Sequence, residues 1–175
     1  MEMAHLAPDR VQGLVLADTG HHPKRQGEEI KRHQMIDLGN ESMERLVDTW
    51  LPSMVDPARV TDEALISTLR SMALHAGAEI HARQIRALIS RPDATAYLKT
   101  IACPVLLMVG RNDKWSPVSQ HEEIGAALPD AEITVIEGAG HFAPFERPRE
   151  VAAIVSGWLN TRFGGSHVAA KAANS

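Results

Sequence analysis

Two uninterrupted apolar runs restrict what this 175-residue chain can fold into more than any other feature. Val11 to Ala17 reads VQGLVLA, and Pro104 to Val109 reads PVLLMV. Neither shows the apolar–polar alternation of a strand with one wet face. Runs of this length without alternation suit strands covered on both faces, as in parallel sheets. A third segment, Ile133-Thr134-Val135-Ile136, is β-branched and also reads as a buried strand. Turn residues close each one: Asp18-Thr19-Gly20, Gly110-Arg111-Asn112-Asp113, and Gly138 with Gly140. Helical patterns follow the second and third strands, from Val118 to Leu128 (stopped by Pro129-Asp130) and from Pro148 to Asn160. The order strand, helices, strand, helix, strand, helix predicts an α/β fold, with a short, mainly parallel sheet flanked by helices.

From about His21 to Tyr97 no strand-like run occurs. Amphipathic segments succeed one another at Glu28–Leu38, Glu41–Leu51, Asp62–His75 and Ala78–Ser90, separated by Pro52, Pro57, Gly77 and Pro92. Thr61, with Asp62 and Glu63 behind it, reads as an N-cap and first turn. This stretch, 21–97, is a helical insertion into a core made of 1–20 and 98–162. The tail, 163–175, is small and polar and is expected to be weakly ordered.

Composition excludes several classes. A net charge of −4 gives no basic footprint for nucleic acid or anionic lipid. No apolar stretch approaches a membrane span, and the start lacks a signal-peptide pattern. A single cysteine, Cys103, rules out an internal disulfide and fits a reducing, cytoplasmic setting; its apolar neighbourhood suggests an inert thiol. No Cys/His spacing looks like a zinc site, and no cofactor is indicated.

The segment EITVIEGAGHFAPFERP, Glu132 to Pro148, delivers one histidine, His141, onto a Gly-flanked loop just past a strand. Asp113 lies just past the preceding strand. In parallel sheets ligands bind beyond the carboxyl ends of the strands, so both side chains belong at one edge. There an aspartate holds an imidazole in one tautomer and stabilises its protonated form, which suits a general base working near neutral pH.

The segments PDRVQGLVLADTG, PVLLMVG with RNDKWSP, and VIEGAGHFAPFERPREV resemble the carboxyl-terminal half of the α/β-hydrolase family, over roughly residues 1–162. The resemblance implies that 21–97 is the helical cap, that Asp113 is the triad acid and that His141 is the triad base. It also implies a hydrolase of small carboxylic esters with no cofactor or metal. The family's nucleophile elbow, G-x-S-x-G, is absent from this sequence. Set against the family, the chain reads as a truncated hydrolase beginning within the helix after that elbow.

Ser116, in the loop after Asp113, is the candidate substitute nucleophile, although a serine without an oxyanion hole lacks the largest electrostatic contribution to acyl transfer. Trp115, His21, His22 and Phe142 are candidate pocket residues. Trp50, Met54 and Met72 suit core packing or an acyl pocket. His33, His75, His81 and His121 carry no assigned role, and Glu146, Arg147, Arg149 and Glu150 read as a solvated helix start. An unpaired Val11–Ala17 strand would be a sticky apolar edge, which predicts a homo-oligomer meeting there or pairing with a separate amino-terminal half. The reading from a different class is an inactive, self-associating domain that binds small apolar ligands.

Overall fold

The computed structural model describes residues 1–172, with side chains as far as Gly164. Its elements run α1 (Glu2–Leu6), β1 (Leu14–Ala17), α2 (Glu28–Glu41), α3 (Met43–Trp50), α4 (Glu63–Ile89), β2 (Val105–Gly110), α5 (Val118–Ala127), β3 (Ala131–Ile136), α6 (Ala143–Glu146) and α7 (Pro148–Ala172). The strands form one parallel sheet in the order β1-β2-β3.

β2 is central, and every residue of it is buried. Successive side chains of a strand point to opposite faces, and the core divides accordingly. Val105 and Leu107 pack with Ala4, Leu98, Ile101, Ile124 and Leu128, which come from α1, α5 and the approach to β2. Leu106 and Met108 pack with Trp158 and, more loosely, with Val151, Ile154, Val155 and Phe163 of α7. Helices therefore cover both faces, and the architecture is three-layered α/β.

The outer strands are less covered than their apolar sequences suggest. β1 spans only Leu14–Ala17 and leaves Val15 39% exposed, while Ile133 of β3 is 40% exposed. Both are edge strands, and an edge residue has a neighbour on one side only. Of Ile133 to Ile136, only Ile136 is buried.

Between β1 and β2 the chain is helical. α2, α3 and α4 pack on one another around Val47, Leu51, Val55, Leu65 and Leu69, with a smaller cluster of Ile36, Ala82 and Ile85. The N-cap of α4 is Asp62 rather than Thr61, its carboxylate accepting from the Leu65 N–H at 3.1 Å. The helix is interrupted at Gly77, where φ 73° and ψ 174° lie outside helical space, in the left-handed half that glycine tolerates.

At the other end, the pattern places the last helix's stop at Asn160 and a weakly ordered tail from residue 163. α7 instead extends to Ala172; the segment VAAKA, 168–172, is rich in alanine, the strongest helix former. Residues 173–175 of that expected tail lie outside the described residues. Among the described residues, no helix is long and apolar enough to cross a membrane.

Candidate active site

β2 and β3 end level, with Gly110 opposite Ile136, and β1 stops two residues earlier, with Ala17 opposite Met108. The loops leaving their carboxyl ends therefore converge. Asp113, in the loop after β2, meets His141, in the loop after β3: Nδ1 of His141 lies 2.9 Å from Oδ2 of Asp113. The Asp113 side chain is wholly buried and that of His141 is 23% exposed.

The other oxygen of Asp113 accepts from the N–H groups of Trp115 at 2.7 Å and Ser116 at 2.9 Å. Burial by itself would raise the pKa of this carboxyl group. The hydrogen bond from His141 and those two N–H groups outweigh it and hold the pKa below the ordinary value. An ionised carboxylate only accepts, so Nδ1 of His141 carries a proton, and in the neutral ring the lone pair lies on Nε2. That is the tautomer of a base.

The histidine loop is tied to the helical segment by backbone groups and one buried carboxylate. The His141 N–H donates to the carbonyl of Met54 at 2.6 Å. Glu146, only 2% exposed, accepts from the N–H of Gly140 at 2.8 Å and from the N–H of Asp56 at 2.7 Å. Asp56 in turn accepts from the side-chain amide of Asn112 at 2.8 Å, which reaches the aspartate loop. Glu146 is thus a buried strut, not part of a solvated helix start; its position in the charge-rich run FERPRE disguises it.

Two glycines make this approach feasible. A Cβ on Gly140 would lie 2.7 Å from the Met54 carbonyl oxygen, and one on Gly110 would overlap the backbone of Ala139 and Gly140. Neither position has room for any side chain.

Two further polar residues complete the edge. Asp18, directly after β1, is buried at a positive φ of 47°. Its carboxylate accepts from the Gly110 N–H at 2.8 Å and the Ala143 N–H at 3.2 Å, bridging all three loops. His121 on α5 is fully buried, and its Nε2 accepts the Thr19 N–H at 3.1 Å. Burial lowers its pKa, so it is a neutral spacer beneath the site.

Burial raises the pKa of Asp18 to about 6, with Asp113 adding to the rise. A carboxyl whose folded pKa exceeds its unfolded value favours folding while protonated. Its contribution is full below the unfolded value of 3.8 and is lost as pH rises to about 6. Melting temperatures recorded from pH 4 to pH 7 should contain this falling component in the native protein. Asp18→Asn, which cannot ionise, should lack it; an unchanged pH profile in the variant would refute the assignment.

A cavity of 790 Å³ opens over His141. Its walls include Asp18, Trp50, Met54, Trp115, Ser116 and His22. Trp115 is 39% exposed, with its ring 6.4 Å from that of His141 and the Arg32 guanidinium 5.8 Å from its centroid. Among the sequence candidates, then, Trp115, His22 and Ser116 line the cavity. His21 is buried beside it, and Phe142 turns away to pack against the Val47–Leu69 cluster of the helical segment. Ser116 is buried and reaches Asp113 through its backbone N–H. Met72 is 51% exposed and away from the cavity, while His81, unassigned from sequence, is in its wall. Burial raises the pKa of Cys103, as suits an inert thiol.

Comparison with known proteins bears on the fold and the family. Proline iminopeptidase of Heyndrickxia coagulans is 33% identical over 69 residues, 39% of this chain and 24% of that protein. RutD of Pseudomonas savastanoi pv. phaseolicola is 24% identical over 169 residues, 93% of this chain and 63% of its own length. Among solved structures, a thermophilic esterase from Thermogutta terrifontis, determined with malate bound, superposes with a TM-score of 0.85 at 28% identity. That match covers 91% of this chain and 59% of the esterase. The chain therefore spans less than two thirds of the length of each of these relatives. A model of the alpha/beta hydrolase family matches residues 3–154, and with that match, a parallel sheet and loops converging at its carboxyl edge, the chain belongs to the alpha/beta hydrolase family.

Proposed function

We propose that this chain carries the acid and base of a carboxylic-ester hydrolase, with His141 as general base and then general acid and Asp113 as its orienting partner. The observation that carries the reading is the 2.9 Å contact between Nδ1 of His141 and a buried carboxylate, facing a cavity large enough for a small ester. Trp50, Met54 and Trp115 give that cavity apolar wall for an acyl or aryl group, and residues 21–97 act as its cap. The solved esterase with which the chain superposes supports the choice of ester.

No G-x-S-x-G occurs in these 175 residues, so by themselves Asp113 and His141 act as a general-base pair that activates water toward an activated ester, while a serine nucleophile with its oxyanion donors would be supplied by a separate amino-terminal half. The exposed flank of β1, where Val15 is 39% exposed at the sheet edge, is the place for a further strand. It pairs with a second copy or with a separate amino-terminal half. With one cysteine and a reduced, inert thiol, the protein suits the cytoplasm.

The test is hydrolysis of a short-chain p-nitrophenyl ester by the purified protein and by His141→Ala, with mass measured by light scattering on the same sample. Activity that disappears in the variant is the expected result. A well-folded protein with no activity above the variant would reject catalysis by this chain alone. Ligand binding that survived the substitution would then favour the second reading, an inactive binding domain, which the missing elbow motif supports.

A further inference from the structure

The sequence contains no zinc-type spacing, yet the fold assembles a set of metal-ligating side chains that no adjacency in sequence announces. His21 and His22 follow β1, and Glu123 lies on α5. One donor atom from each falls within 4.8 Å of the others. Nε2 of His22 is 3.2 Å and Nε2 of His21 is 3.8 Å from the same carboxylate oxygen, Oε2 of Glu123. Nitrogen and oxygen ligands bound to zinc at ~2.1 Å with tetrahedral angles lie ~3.4 Å apart, and the two observed separations bracket that value.

We propose that His21, His22 and Glu123 form a binding site for one divalent transition-metal ion of the zinc class, independent of the Asp113–His141 pair. Imidazole and carboxylate ligands suit such ions. His21 is 4% exposed, yet among the described residues its side chain makes no hydrogen bond, and its Nδ1 has no partner. The other ring nitrogen, Nε2, faces Glu123 at 3.8 Å without a hydrogen bond, so an ion bound there displaces no existing bond.

The donors are also preorganised. The two rings lie side by side with centroids 3.9 Å apart. Their backbone is pinned at both carbonyls: that of His21 accepts the Ala94 N–H at 3.0 Å, and that of His22 accepts Nε of Arg91 at 2.9 Å. The side chains of His22 and Glu123 are 38% and 58% exposed, so an ion can enter from solvent and keep a water ligand. Bound there, it would staple the segment after β1 to α5 at the rim of the cavity that His22 lines.

Titration calorimetry of the full chain with zinc chloride, after stripping with a chelator, tests the proposal. One saturable ion per chain is expected, with a higher melting temperature in its presence. Cobalt(II) should give the intense visible bands of a tetrahedral site. His22→Ala and Glu123→Gln, both at solvent-open positions, should each weaken zinc binding by about tenfold or more while the circular dichroism spectrum is retained. No saturable binding, or binding of equal strength in both folded variants, would overturn the assignment; the latter would place the ion on other surface histidines. Neither result depends on esterase activity.

Discussion

Asp113→Asn is expected to reduce the His141-dependent hydrolysis of a p-nitrophenyl ester by ~10²–10⁴-fold, the range attributed to a positioned general base. The variant is nearly isosteric, so packing around a fully buried side chain is kept. One amide oxygen remains to accept the Trp115 and Ser116 N–H groups, which now hold Asp113 Oδ1 at 2.7 and 2.9 Å. The amide nitrogen then faces His141 in place of Oδ2. A donor in that position requires Nδ1 to accept, which moves the imidazole proton to Nε2. The nitrogen that should take a proton from the nucleophile already holds one. The charge that stabilises the imidazolium is lost in the same step. The readout is kcat/KM against pH for both proteins. Retention of a full-strength basic limb in the variant would show that Asp113 does not set the tautomer.

Glu146→Ala is expected to lower stability by ~2–6 kcal/mol, because it strands two buried N–H groups, each worth ~1–3 kcal/mol when left without a partner. Those groups belong to Gly140 and Asp56. One lies next to His141 and the other lies in the helical segment, so their common acceptor fixes the histidine loop against the roof of the cavity. The substitution also removes a side chain that is only 2% exposed, leaving a void that the surrounding backbone cannot readily fill. For a chain of this size the loss corresponds to a melting-temperature drop of several degrees or more, at ~2–4 °C per kcal/mol. Glu146→Gln should be milder, since its amide oxygen still accepts one N–H while its amide nitrogen opposes the other. Thermal denaturation of the two variants beside the native protein checks the order. Equal stability of all three would mean that water replaces the carboxylate and that the strut is dispensable.

The stability effect and the activity effect are separable. Asp113 sets a protonation state with little change in packing, whereas Glu146 holds a loop and touches no reacting group. A Glu146→Ala protein that melts early yet keeps its His141-dependent activity when cold would match this division of roles.

What the amino-acid sequence determined by itself was local. Apolar runs without alternation marked β1 and β2, and the Gly and Pro punctuation marked the helical breaks, including Gly77 inside α4. The order of strands and helices then required a parallel sheet, and a parallel sheet brings Asp113 and His141 to the same edge. Those inferences need only short-range periodicity, turn chemistry and one topological rule, and the 2.9 Å contact agrees with them.

The tertiary structure alone decided which polar residues are buried and which strands are edges. Asp56 and Glu146 meet across a separation of 90 residues, Asp18 and Gly110 across 92, and Asp18 and Ala143 across 125. No periodicity reports such pairs, and Glu146 in FERPRE looks like any solvated helix-start charge. Ile133 and Val15 have the residue types of buried strands, but each strand has a neighbour on one side only. His21, His22 and Glu123 meet for the same reason: a loop and a helix that are remote in sequence are packed side by side. Local patterns specify which segment becomes strand or helix, because that choice depends on backbone sterics and the period of burial. Burial of a given carboxylate or imidazole depends on what else is brought against it, and only the packed chain supplies that.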